Sequence, residues 1–316
     1  MKKYKYIQTV LKKIPADSLD LTLPHEHLYT DLRGPHVPNY ANSDPKHVVS
    51  VMKPYLDEIF QMGVKTLVEC STIGVGRNPV ILKELAQNTP IQIIAPTGVY
   101  REAFVPQELI TKSPAELADM WIRDITEGIE GTNIKAGFVK MAVSDEGITN
   151  LEAKNLKAAV LTSQSTGAII ASHTIGGKLA LEEIDLLESF GLDLKRFIWT
   201  HAQSETDKTY HQEAAKRGAY ISIDAIGSGW APDDDMLEAT LALIEAGFSG
   251  QILLSHDAGW YDPSQSNGQP SDTGIRGYTE LFNSFLPELR NRGVKEGIIA
   301  QITKQNPGSA FAIKSV

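Results

Sequence analysis

Eight short apolar runs, each followed by room for one helix, are the feature that most narrows what this chain can fold into. They fall at about 19–23, 64–70, 91–98, 136–141, 167–172, 196–200, 219–224 and 250–255. Apolar runs of this length alternating with helical segments are the pattern of parallel strands joined by crossover helices. The intervals carry matching punctuation. Asp44–Pro45, Asn78–Pro79 and the "SPAE" of Ser113–Glu116 each offer an N-cap followed by proline at the first helical position, where its missing N–H breaks no intrahelical bond. Gly63, Gly167, Gly191, Gly218 and Gly247 fall between a helix and the next strand, where a left-handed residue closes the helix. Eight βα units predict an α/β protein, a closed (β/α)8 TIM barrel, with an open doubly wound sheet as runner-up. No linker or composition break divides residues 1–316, so one barrel domain is expected.

A barrel carries its chemistry at the C-terminal ends of its strands, and polar residues collect there. In "LPHEHL" an extended backbone sets His25 and His27 on one face and Glu26 on the other. Lys140 lies near the end of the fourth run, His173 ends the fifth, His201 the sixth and Asp257 the eighth, with His256 beside it. Histidines and a carboxylate converging from separate strands are expected to hold metal; histidines that merely satisfy hydrogen bonds in a polar mouth are the alternative. His36, His47 and His211 fall outside the pattern and are expected to be solvated. Lys140 is the odd member, because an ammonium repels cations. A neutral amine, a carbamate formed with CO2, and a structural lysine paired with an acid all remain open. Cys70, in "VKTLVEC", is expected to be a buried, inert thiol.

Composition removes several function classes. A net charge of −9 leaves no surplus of Lys and Arg to replace phosphate counterions, so no nucleic-acid partner is expected. No basic tract serves a membrane surface, and no run approaches the roughly 18 apolar residues of a span. The opening "MKKYKYIQTVLKKIPADS" lacks the apolar core of a signal peptide, so the cytoplasm is the expected location. There is no G-x-S-x-G elbow, "TIGGKL" lacks the first glycine and the Ser/Thr of a P-loop, and "GVGRNP" is no dinucleotide fingerprint. A small-molecule substrate remains.

The ordered set "LPHEHL", "KAGFVKMA", "ASHTIGG", "WTHAQ" and "LLSHDAG", with the late "GYTELFNSFLPELRNRGV" and "NPGSAF", resembles the phosphotriesterase family of the amidohydrolase superfamily from about Ile7 to Phe311. The resemblance implies two divalent metal ions, with Zn, Mn, Co or Fe all suited to such ligands. It puts His25, His27 and Asp257 on the more buried ion and His173 and His201 on the more exposed one. A carbamate on Lys140, made from CO2, and a hydroxide would bridge both, and Tyr100, in "PTGVY", would lie over the metals. The implied activity is hydrolysis of a lactone or related carboxylic ester, with organophosphate triesterase activity as a side reaction. Asp257 would take the nucleophile's proton. A primary phosphotriesterase and a noncatalytic metal-dependent binding protein are the competing readings, and a homodimer is the implied assembly.

One departure bears on substrate. The lactonase branch commonly has an Asp-Arg pair on the seventh strand, whereas Asp224 is followed by Ala225, which counts against acyl-homoserine lactones. Arg33, Arg77, Arg101, Lys178 and Arg276 lie in segments near the expected mouth. One or two of them are expected to bind an anionic group such as the phosphate of a sugar lactone, with pairing to nearby acids as the alternative. Trp230, Trp260 and Tyr261 follow the seventh and eighth strands, where they either shape the pocket or pack beneath helices.

Overall fold

The computed structural model describes residues 5–314; the start of the basic opening segment, 1–4, lies outside them. The first barrel strand is β3 (Thr22–Tyr29), preceded by a hairpin of β1 (Lys5–Gln8) and β2 (Lys13–Pro15). Then follow β4 (Thr66–Glu69), β5 (Gln92–Ile94), β6 (Pro96–Gly98), β7 (Phe138–Ala142), β8 (Ile170–His173), β9 (Phe197–Thr200), β10 (Tyr220–Ile223), β11 (Ile252–Leu254), β12 (Gly259–Tyr261) and β13 (Ile313–Lys314). The barrel segments pair in parallel as β12-β3-β4-β5 and as β6-β7-β8-β9-β10-β11. β5 and β6 are halves of one strand broken at Ala95, whose carbonyl accepts from Gly137 N at 2.8 Å. Residues 255–258 link β11 to β12. Asp257 N donates to His25 O at 3.2 Å and His27 N to Ala258 O at 3.0 Å, joining the last strand to the first. The result is the TIM barrel.

The helix signals act as their chemistry requires. Asp44, Asn78 and Ser113 cap the helices Pro45–Gln61, Pro79–Asn88 and Pro114–Thr126, the last with a full capping box through Glu116. All five punctuating glycines have positive φ, between 76° and 114°, a region open to glycine at little steric cost. Among the described residues no helix is long and apolar enough to cross a membrane.

The core has two parts. One lies between the strands and the surrounding helices; the other fills the barrel from below. Strand alternation builds the second in layers, with Val68, Phe138 and Ala171 one step beneath Cys70, Lys140 and His173. Ile7 and Ile14 of the hairpin, with Phe311, complete it, and the Phe138 and Phe311 rings meet edge to face at 5.3 Å. The hairpin was not anticipated from sequence; its strands are short and its apolar residues few. The stretch 256–276, rich in Gly, Ser, Pro and Asp, contains β12.

Behind β8 lies a buried acid. Glu183, on the helix Gly177–Ser189, accepts from Thr174 Oγ1 at 2.5 Å, and burial is the leading cause that pushes its carboxyl up to about 7 from an ordinary 4.5. Between those pH values the native protein holds a proton that the unfolded chain has released, so stability falls as pH rises through the interval. Glu183→Gln is expected to remove that slope. In denaturant melts it should exceed wild type by up to about 3 kcal/mol at pH 8 and match it near pH 4. Parallel curves at both pH values would show that Glu183 does not titrate in this range.

Candidate metal centre

β3 runs on to Tyr29, so His25 and His27 sit within the strand rather than beyond its end, both turned into the mouth by the two-residue pleat. Their Nε2 atoms lie 3.3 Å and 2.9 Å from Asp257 Oδ1. His25 Nδ1 donates to Asp224 Oδ2 at 2.8 Å, and His27 Nδ1 meets Ser71 Oγ at 2.8 Å with Glu69 Oε1 at 3.6 Å. His201 Nδ1 donates to the other oxygen of Asp224, also at 2.8 Å. Asp224 thus orients histidines from two strands at once and directs both Nε2 lone pairs inward, as carboxylates behind metal-binding imidazoles do. In the sequence Asp224 stands out only as the acid of a family pair whose arginine is replaced by Ala225. Its orienting role has no local signature, because its partners are 23 and 199 residues away.

The site concentrates negative charge. Burial tends to raise the Asp257 carboxyl, but the His25, His27 and His201 imidazoles outweigh it and hold the group far below the usual carboxylate range. Asp224 is ionised for the same reason, its burial overcome by His201 and His25. Burial lowers His25 and His173, keeping their rings neutral. Burial opposes charge on His27 too, yet Asp257 and Glu69 raise it to about 10. A proton therefore sits between two carboxylates at the position where the donor set suits a cation.

Lys140 is 2% exposed and donates to Thr200 Oγ1 at 3.2 Å. Among the described residues no carboxylate pairs with it, which removes the reading of a structural lysine held by an acid. His173 lies beside His201, ring centroids 4.4 Å apart. Arg101 Nη2 donates to His173 Nε2, so the ring proton is on Nδ1, which then donates to the Tyr100 hydroxyl oxygen at 3.2 Å. The Tyr100 hydroxyl proton is left free to point into the mouth, and burial keeps that phenol neutral by raising it to about 12. Imidazoles from separate strands, a carboxylate and a buried amine with no acid partner among the described residues gather round one cavity, a donor set that fits divalent ions.

A cavity of about 190 Å³ opens above these groups, walled by Leu32, Val75, Trp230 and Trp260. Cys70 is buried as expected, and burial pushes its thiol up, but it also forms part of the cavity floor. Four of the five cations considered for substrate binding are engaged elsewhere. Arg33 pairs with Asp31, Arg77 is buried against Asp124 and Glu130, Lys178 is exposed near Glu182, and Arg276 donates to the carbonyls of Ile226, His256 and Asp257. Arg101 reaches the centre through His173, and its Nη2 also pairs with Asp145 Oδ1 at 2.7 Å. Tyr261 turns away from it, stacked on Tyr29 with ring centroids 5.8 Å apart and bonded to His47 at 2.8 Å. His211, expected in solvent, is buried and donates through Nε2 to Ala202 O at 2.7 Å, because its helix packs that face onto the barrel.

The model of the phosphotriesterase family matches residues 5–311. The chain belongs to that family. It is 31% identical over 307 residues to an aryldialkylphosphatase of Saccharolobus solfataricus, covering 95% of this chain and 97% of that one. A phosphotriesterase-like lactonase mutant of Deinococcus radiodurans is 30% identical, covers 96% of this chain and 99% of its own, and superposes with a TM-score of 0.85. The phosphotriesterase homology protein of Escherichia coli, solved with phosphate in its active site, is 29% identical with a TM-score of 0.81, covering 93% and 99%. The members of this phosphotriesterase family are hydrolases, and the closed barrel is their shared architecture.

Proposed function

We propose that the protein is a binuclear metal-dependent hydrolase that opens a lactone or related carboxylic ester, with organophosphate triesterase activity as a side reaction. The observation that carries this reading is the pairing of inward Nε2 atoms on His25 and His27 with Asp257, beside a buried Lys140 that has no acid partner. His25, His27 and Asp257 would hold one ion and His173 and His201 the other, with Lys140, as its CO2 carbamate, between them. Zinc suits such ligands best among the candidates, and Mn, Co or Fe also fit. Bound ions would supply an acidified water and a Lewis acid for the substrate oxygen.

The chain's own groups do the rest. Asp257, ionised at working pH, takes the attacking water's proton and delivers it to the leaving alkoxide. Tyr100 directs its free hydroxyl proton at the substrate's carbonyl oxygen, where negative charge grows as the bond breaks. Trp230, Trp260, Leu32 and Val75 exclude bulk water and fit an apolar ring or chain.

The deciding experiment compares chelated protein with protein reconstituted to two metals per chain, in bicarbonate buffer, against neutral lactones, phosphorylated sugar lactones, acyl-homoserine lactones and a phosphate triester. Lactone turnover that returns with metal supports the proposal. A dominant triesterase would make the triester the primary substrate, and substrate binding without turnover would mark a binding protein. Arg101→Ala should raise KM for an anionic lactone about tenfold, the loss of one charge-assisted hydrogen bond, while a neutral lactone changes less than about twofold. Equal effects on both would remove Arg101 from substrate recognition.

A further inference from the structure

Glu26 faces away from the metals, yet four hydrogen bonds converge on it from the turn that carries Asp257. Its Oε1 accepts from Ser255 Oγ at 2.8 Å, His256 N at 3.0 Å and His256 Nδ1 at 2.7 Å, and its Oε2 accepts from Ala258 N at 2.9 Å. These donors flank Asp257 on both sides. Asp257 itself has φ of 50°, a left-handed conformation that a side-chain-bearing residue rarely adopts, and that backbone kink turns its carboxylate back toward His25 and His27. Glu26 is fully buried, and these donors satisfy both of its carboxyl oxygens. His256 extends the contact outward. Its Nε2 accepts from Leu281 N at 3.0 Å, which fixes the proton on Nδ1 and ties the turn to the C-terminal helical segment beginning at Leu281.

We propose that Glu26 is a positioning residue: the carboxylate between the two β3 histidines clamps the 255–258 turn and so holds Asp257 in the orientation in which it can share an ion with His25 and His27. The inference rests on the metal-centre reading above. The strand period makes the device economical, because one pleat step aims the histidines inward and the clamp at the neighbouring strand.

Glu26→Gln tests it. The amide nitrogen would face a hydrogen-bond donor at Ala258 N or at Ser255 and His256, so the clamp loses at least one contact while side-chain volume is kept. Wild type and variant are titrated with Co2+ at a temperature where near-ultraviolet circular dichroism shows both folded, reading stoichiometry, affinity and the visible Co2+ spectrum. Co2+ affinity is expected to fall about 10- to 100-fold, as for other groups that orient metal ligands, with a changed visible spectrum. A merely structural Glu26 would lower thermal stability and leave both readouts of the folded protein at wild-type values, which would overturn the proposal. Should Glu26→Gln fail to fold, Ser255→Ala removes its hydrogen bond to Glu26 together with the one its Oγ accepts from His25 N at 3.1 Å, and is expected to weaken Co2+ binding in the same sense, by about threefold or more; unchanged binding there overturns the clamp. Wild-type protein that takes up no Co2+ would overturn the metal-centre reading itself, and the clamp with it.

Discussion

Asp257→Asn is expected to lower kcat for lactone hydrolysis by about 10²- to 10⁴-fold, the range associated with a positioned proton-transfer group. Asparagine keeps the volume and one oxygen but cannot take a proton from water at working pH. Because Asp257 Oδ1 lies within 3.3 Å of both β3 histidines, the neutral side chain is also a poorer partner for a cation. Metal content must therefore be measured on the same samples. A protein that retains two metals and loses turnover locates the effect in proton transfer. Full activity with full metal content would remove Asp257 from the mechanism.

The second large effect is expected at Asp224. Asp224→Asn replaces a carboxylate that accepts the Nδ1 protons of both His25 and His201 with an amide that has one oxygen to offer. One of the two rings must lose its anchor. Loss of a carboxylate behind one metal-binding histidine costs about 10–100-fold in affinity or activity, so a group serving two rings is expected to reach the upper part of that range. Its side chain also accepts from Gln203 Nε2 at 3.2 Å, and its backbone N donates to Gln203 Oε1 at 3.1 Å. Gln203→Ala should therefore produce a weaker effect of the same kind. Metal retention after dialysis against a mild chelator separates the two variants from wild type; equal retention in all three would mean that Asp224 does not orient ligands.

The repeating punctuation made the barrel legible, because caps and left-handed glycines are local and the strand runs are strongly apolar. The six residues expected to converge, His25, His27, Lys140, His173, His201 and Asp257, were legible for a related reason: each ends or nearly ends an apolar run, and the barrel supplies the convergence. What supports them was not. Asp224, Glu69 and Glu26 each act across strands distant in sequence, and an acid next to an apolar run reads the same whether it binds a histidine or solvent. His211 was misread because helical position alone does not say which face packs. Tyr261 differs from its neighbour Trp260 by one step of β12, which alone decides whether an aromatic lines the cavity or stacks on Tyr29.

β1 pairs with β13 so closely that Lys5 lies opposite Lys314, on the end of the barrel plugged by Ile7, Ile14 and Phe311. The cavity with Trp230 opens at the other end. β1 and β13 thus lie side by side, like two turns of cord laid across the closed base. Protein anchored to a bead or electrode through that base would hold its mouth toward the bulk liquid.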